Sequence, residues 1–123
     1  MKKNPIEKVK EIFSKKNILS SYLFVEKEMA LAQGELKIIP KKAAIEISKK
    51  CNIQYFNLNL FEKDFKKTKA PIVSLVNSIV KLCSEESKKY VHYGATTQNI
   101  TQAGLALLMR KSHIQAMYRM SDC

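Results

Sequence analysis

The chain has 123 residues, 46% of them hydrophobic, so it can bury one small core and is too short for several independent domains. Twenty-two Lys and Arg against eleven Asp and Glu leave a net charge of +11, which excludes an acidic disordered chain and admits an anionic ligand or partner. Three Gly and three Pro are too few for collagen-like, low-complexity or turn-rich all-β classes, and the expectation is an all-α fold.

Residues 5–16 place Ile6, Val9, Ile12 and Phe13 at helical spacing, with Pro5 suited to a first turn. A second helix is expected from Ser20 or Ser21 as cap, through a stripe of Tyr22, Val25, Met29 and Ala32, to Gly34 as its stop. After a connection over 35–39, Pro40 suits the first turn of a third helix whose small apolar face is Ala43, Ala44 and Ile47. Residues 51–65 are ambiguous: Ile53, Phe56 and Leu60 fit a helix, whereas Phe56, Leu58 and Leu60 alternate as in a strand, and short helical turns are the preferred reading. Ala70-Pro71 opens a helix with the stripe Ile72, Leu75, Val76, Ile79, Leu82 and Cys83. The last helix starts near Thr96 or Thr97, presents Leu105, Leu108, Met109, Ser112 and Ala116 on one face, and has no later element to pack against. At about 22 residues it would be roughly 33 Å long, the width of a small domain, which implies a larger assembly.

Cys51, Cys83 and Cys123 are odd in number and lack CxxC or Cys/His spacing, so neither a disulfide framework nor a metal site is indicated, and reduced thiols are expected. No apolar run reaches the roughly 18 residues of a membrane span, and residues 1–10 lack the apolar stretch of a signal peptide. The expected location is therefore cytoplasmic, without membrane contact. All but two of the 22 basic residues are Lys, scattered along the chain rather than grouped with Arg and aromatics, which reads as compositional bias and not as a specific nucleic-acid surface.

Chemistry concentrates in residues 91–100. Gly94 permits a close turn, and Thr96, Thr97 and Gln98 follow at a helix start, where free N–H groups and the positive dipole end favour an anion such as a carboxylate. Thr96 or Thr97 as a plain cap, with His92 and Tyr93 as packed aromatics, is the competing reading of the same residues.

HYGATTQNI (92–100), preceded by APIVSLVNSIV (70–80), resembles the first signature of the fumarase/aspartase lyase superfamily, in the branch of 3-carboxy-cis,cis-muconate cycloisomerase and adenylosuccinate lyase. Residues 21–47, with Glu26 and AQGELKIIP (32–40), look like that family's early helix pair. The resemblance implies a helical N-terminal domain over 1–93 and the start of a long central bundle helix over 94–123, in an enzyme that is a homotetramer with no cofactor or metal. It implies proton abstraction beside a carboxylate, with elimination or addition at the neighbouring carbon. Thr96, Thr97 and Gln98 match the positions that hold a small-molecule carboxylate substrate, and His92 matches a histidine lining that pocket.

Asn99 stands where the family usually has Asp, which removes a charge and implies a weaker local contact. Ala70-Pro71 stands where adenylosuccinate lyases carry a histidine, which favours the cycloisomerase-like pattern. The family's segments supplying the acid and base lie beyond the last residue, and His113 matches neither, so no catalytic residue is assigned and the 123 residues are expected to be inactive alone, with doubtful assembly. The alternative is a small basic helical binding module without catalysis, using its charge and an exposed apolar stripe.

Overall fold

A computed structural model describes residues 4–121; Cys123 and the first three residues of the segment read for a leader lie outside the described residues. Among the described residues there are six α-helices and no strand: α1 Pro5–Ile12, α2 Lys15–Glu35, α3 Lys41–Lys50, α4 Leu58–Thr68, α5 Pro71–Leu82 and α6 Thr97–Ser121, with single 3-10 turns at Ile53–Tyr55 and Lys88–Tyr90. The all-α expectation therefore holds, and no described helix is long and apolar enough to cross a membrane.

The first expected helix is cut short. Asn4 and Glu7 close a reciprocal capping box that starts α1, but the helix ends at Ile12 because Ser14 caps the next one, its Oγ accepting the Asn17 N–H at 3.3 Å. Consequently α2 begins at Lys15, one and a half turns before Ser20 and Ser21, which lie inside it. Gly34 does not stop α2 either. Leu36 is the cap, and Lys37, at φ 60°, takes the left-handed position usually given to glycine, with Ile38 N–H bonded to Gln33 O and Lys37 N–H to Gly34 O in a Schellman arrangement. Gly34 serves packing instead: a Cβ there would sit 2.5 Å from Ala44 Cβ, so its absence lets α3 lie close on α2.

The face of α2 that reaches the core also differs from the stripe expected. Leu19, Leu23, Glu26 and Ala30 are buried, whereas Tyr22, Val25 and Met29 are half-buried and Ala32 is exposed. The helix packs against α1, α3, α5 and α6, so apolar residues are used on several sides and the periodic signal is blurred.

Ala43, Ala44 and Ile47 of α3 and Ile72, Leu75 and Ile79 of α5 are buried, as their spacing predicts, and Cys83 packs on the core's edge. In the ambiguous 51–65 stretch the helical reading stands, with Asn57 capping α4, but Phe61 rather than Leu60 is the buried anchor. Phe61 packs between Phe56 and Phe65, at ring-centre distances of 5.5 and 6.2 Å.

The last helix, with no later element among the described residues to meet, packs on the earlier ones. It lies along α1 and α2, burying Ile100, Gly104 and Leu108, four residues apart. Gly104 sits so close to α2 that a Cβ would meet the Tyr22 ring at 2.5 Å. Of the face expected to carry the helix, only Leu108 is buried; Leu105 and Met109 are about half exposed. A residue without a side chain sits at the contact, so a search for large apolar residues finds the neighbouring face.

Candidate functional site: the 91–99 turn and the helix start

The chain reaches α6 through a tight turn. Ala95 N–H bonds to His92 O at 3.3 Å, and both His92 (φ 58°) and Gly94 (φ 70°) adopt left-handed backbone. Glycine accepts that conformation freely, but for a histidine it costs on the order of 1 kcal/mol, so other contacts must hold the turn. Buried Val91 supplies one anchor, and α2 supplies two more. Gln33 Nε2 donates to the Tyr93 carbonyl at 2.7 Å, and a Glu26 carboxyl oxygen lies 2.5 Å from His92 Nδ1. Glu26 and Gln33 are seven residues apart, two helical turns, and so project from the same side of α2.

Beyond the turn, Thr96 is the cap of α6. Its Oγ1 accepts the Asn99 N–H at 3.3 Å, while its own N–H and hydroxyl both donate to Asn99 Oδ1 at 3.0 Å. Asn99 thus performs the acceptor part of a capping box, which needs an oxygen but not a charge; what it forgoes relative to Asp is the attraction to the helix's positive end, about 0.3–1 kcal/mol. Thr96 thus does cap the helix. Thr97 and Gln98 are exposed, and neither side chain is engaged in a hydrogen bond with another described residue.

The structure therefore brings the four candidates onto one turn and helix start but divides them by state. His92 is largely enclosed and held by Glu26; Thr96 is occupied by its cap; Thr97 and Gln98 face solvent with donors free. Two clefts of about 940 and 910 Å³ border α3 and the segment up to Tyr93, and neither is lined by His92, Thr97 or Gln98. The candidate site is an open surface.

Glu26, which the resemblance singles out without giving it a role, is the further residue that the geometry brings to the site. It is only 1% exposed, and its second carboxyl oxygen, Oε2, is buried without a partner among the described residues. Burial pushes its carboxyl above the usual carboxylate range, and the hydrogen bond and charge of His92 draw it part of the way back. Cys51 feels the same environment: burial first, then the Glu26 and Cys83 charges, push its thiol up to about 12, so it is neutral and unreactive at ordinary pH. A signal was available in the sequence. Glu26 stands seven residues after Leu19 and three after Leu23, in register with the core side of α2, where a carboxylate needs a reason.

No protein-family model matches the chain. Adenylosuccinate lyase of Methanocaldococcus jannaschii is 34% identical over 104 residues, which make up 85% of this chain and 22% of that protein. Trans-aconitate decarboxylase 1 of Mycosarcoma maydis is 35% identical over 104 residues, 85% of this chain and 21% of that one. The crystal structure of a fumarate lyase from Mesorhizobium sp. BNC1 matches with a TM-score of 0.76 at 32% identity, over 85% of this chain and 25% of that chain. The chain thus spans about one fifth of the length of the curated relatives it matches. Sequence identity above 30% and a shared helical arrangement coincide over the same large share of the chain, and on both grounds it belongs to the fumarase/aspartase superfamily of lyases.

Proposed function

We propose that these 123 residues form the N-terminal helical part, with the start of a central bundle helix at 94–123, of a lyase or cycloisomerase acting on a small carboxylate. The reaction class is removal of a proton from the carbon beside a carboxylate, with a group leaving or adding at the neighbouring carbon; adenylosuccinate-type elimination and muconate-type ring closure are two forms of it. In this reading Thr97 and Gln98 donate hydrogen bonds to a substrate carboxylate at the positive end of α6, and His92 lines the same site. Thr96 joins them by turning its hydroxyl proton from Asn99 to the ligand.

The observation that supports this reading best is that the helix start is already capped by Thr96 and Asn99, yet Thr97 and Gln98 beside it keep free donors. A carboxylate gains charge when the adjacent carbon loses its proton, and donors fixed in advance around it stabilise that charge most. These groups bind and orient; no acid or base is assigned among them. The 123 residues alone are therefore proposed to bind carboxylate without turnover, and the full enzyme to be a cytoplasmic homotetramer in which neighbouring subunits close the open site, with no cofactor, metal, membrane or specific nucleic acid involved.

Fumarate binding to the purified chain tests the reading. Saturable binding at millimolar fumarate, weakened about tenfold by Thr97→Val (the loss of about 1.4 kcal/mol, one hydrogen bond to a charged group), is the expected result. Equal binding by the variant would contradict the assignment, and turnover of adenylosuccinate or a muconate lactone by the chain alone would contradict its inactivity. The alternative, a basic interaction module, draws on the net charge of +11 and on exposed Met109, Met117 and Tyr118; retention on DNA at about 0.15 M salt would favour it.

A further inference from the structure

The Glu26–His92 pair is costly in two ways that the fold alone does not require. A carboxyl with 1% exposure has left water, and its Oε2 recovers no hydrogen bond among the described residues. His92, in turn, is held in left-handed backbone. Each expense serves the same contact, the 2.5 Å approach of Glu26 Oε1 to His92 Nδ1 across 66 residues of sequence. Were packing the purpose, an apolar residue at position 26 would fill the core of α2 without the desolvation cost.

We infer that Glu26 is a positioning residue for His92: its carboxylate accepts the Nδ1–H bond, fixes the ring's proton on Nδ1, and leaves Nε2 as the atom that meets a ligand. Imidazole has two neutral tautomers, and the partner of one nitrogen decides which is populated. An ionised carboxylate can only accept, so at a pH above the raised Glu26 value the proton must sit on Nδ1; Nε2 is then an acceptor in the neutral ring and a donor in the protonated one. Gln33 complements this from the same side of α2 by holding the Tyr93 carbonyl, so that both the ring and the backbone of the turn are referred to one rigid helix. Cys51, the other titratable group that senses Glu26, contributes no competing charge because its thiol is neutral.

The inference rests on the proposed carboxylate site for the use made of Nε2, but not for the tautomer itself, and the two can fail separately. A long-range 1H–15N spectrum of the 15N-labelled chain reads the tautomer directly, with exposed His113 as an internal reference. The expected result is that His92, when neutral, carries its proton on Nδ1, unlike His113. In Glu26→Gln the amide offers Nδ1 both an acceptor oxygen and a donor nitrogen, so the preference for Nδ1–H should be lost, while the amide spectrum away from α2 and the 91–99 turn stays unchanged. An Nε2–H ring in the unsubstituted chain would overturn the inference, whether or not the variant folds. Fumarate titration in the same sample separates the two ideas: an Nδ1–H ring without fumarate binding removes the site and keeps the positioning role, whereas binding with an Nε2–H ring does the reverse.

Discussion

The two long helices, α2 and α6, spend their apolar residues in opposite ways. α2 is packed on several sides and buries Leu19, Leu23, Ala30 and even Glu26, whereas α6 buries the line Ile100, Gly104, Leu108 and leaves Leu105, Met109, Met117, Tyr118 and Met120 substantially exposed. The difference separates stability from association. Changes on α2 should be felt by this chain's own folding, and changes on the outer face of α6 should be felt only by whatever covers it.

The largest effect is expected at the centre of α2. Leu23→Ala removes a side chain that is 1% exposed and should cost about 2–5 kcal/mol, read as a lower urea midpoint. Next comes the crossing of the two helices, where Gly104→Ala would push a methyl into the Tyr22 ring. Overpacking costs about 1–3 kcal/mol and the better helix propensity of Ala returns about 1, so a net loss is predicted; a gain would mean that α6 does not lie as closely on α2 as described.

A subtler effect concerns pH. Because burial raises the Glu26 carboxyl above its ordinary value of 4.5, the folded chain binds that proton more tightly than the unfolded chain. The stabilisation is fully present below 4.5 and is lost as pH rises through the raised value. Half-buried Glu46 and Asp64 and exposed Glu62 are shifted the other way, mainly by hydrogen bonds from Ser87 and Ser84, from Asn77 and from Lys15 respectively, and oppose the trend. Comparing Glu26→Gln with the unsubstituted chain cancels those three, and the variant should gain in relative stability as pH rises from 4 upward. A flat difference across that range would show that Glu26 is not desolvated as described. At the small end, Met109→Ala and Met117→Ala should each change the stability of a monomeric chain by less than about 0.5 kcal/mol. If light scattering finds an oligomer, the same substitutions should weaken it.

This contrast also explains what the sequence could and could not reveal. α5 is apolar on one side and packs as its stripe predicts, and Pro71 and Pro40 correctly mark helix starts. The core face of α2 includes a carboxylate, whereas a periodicity reading places polar residues outward by default, and its start at Lys15 rests on a cap made by a single Ser hydroxyl. On α6 the decisive residue is Gly104, whose contribution is the absence of a side chain. The turn at 92–94 and the helix start were legible from Gly94 and the Thr pair, but the grip of Glu26 and Gln33 on that turn joins residues about 60 positions apart, which no local pattern encodes.

The central claim, that the 91–99 turn and helix start form a carboxylate site, is tested most directly by following the backbone amides of the 123-residue chain during fumarate titration at about 0.15 M salt. The account predicts saturable shifts concentrated at His92, Thr96, Thr97, Gln98 and Asn99 and persisting in salt. Shifts spread over the lysine-bearing helices and abolished by salt would reduce the effect to nonspecific attraction by the +11 charge and contradict the site.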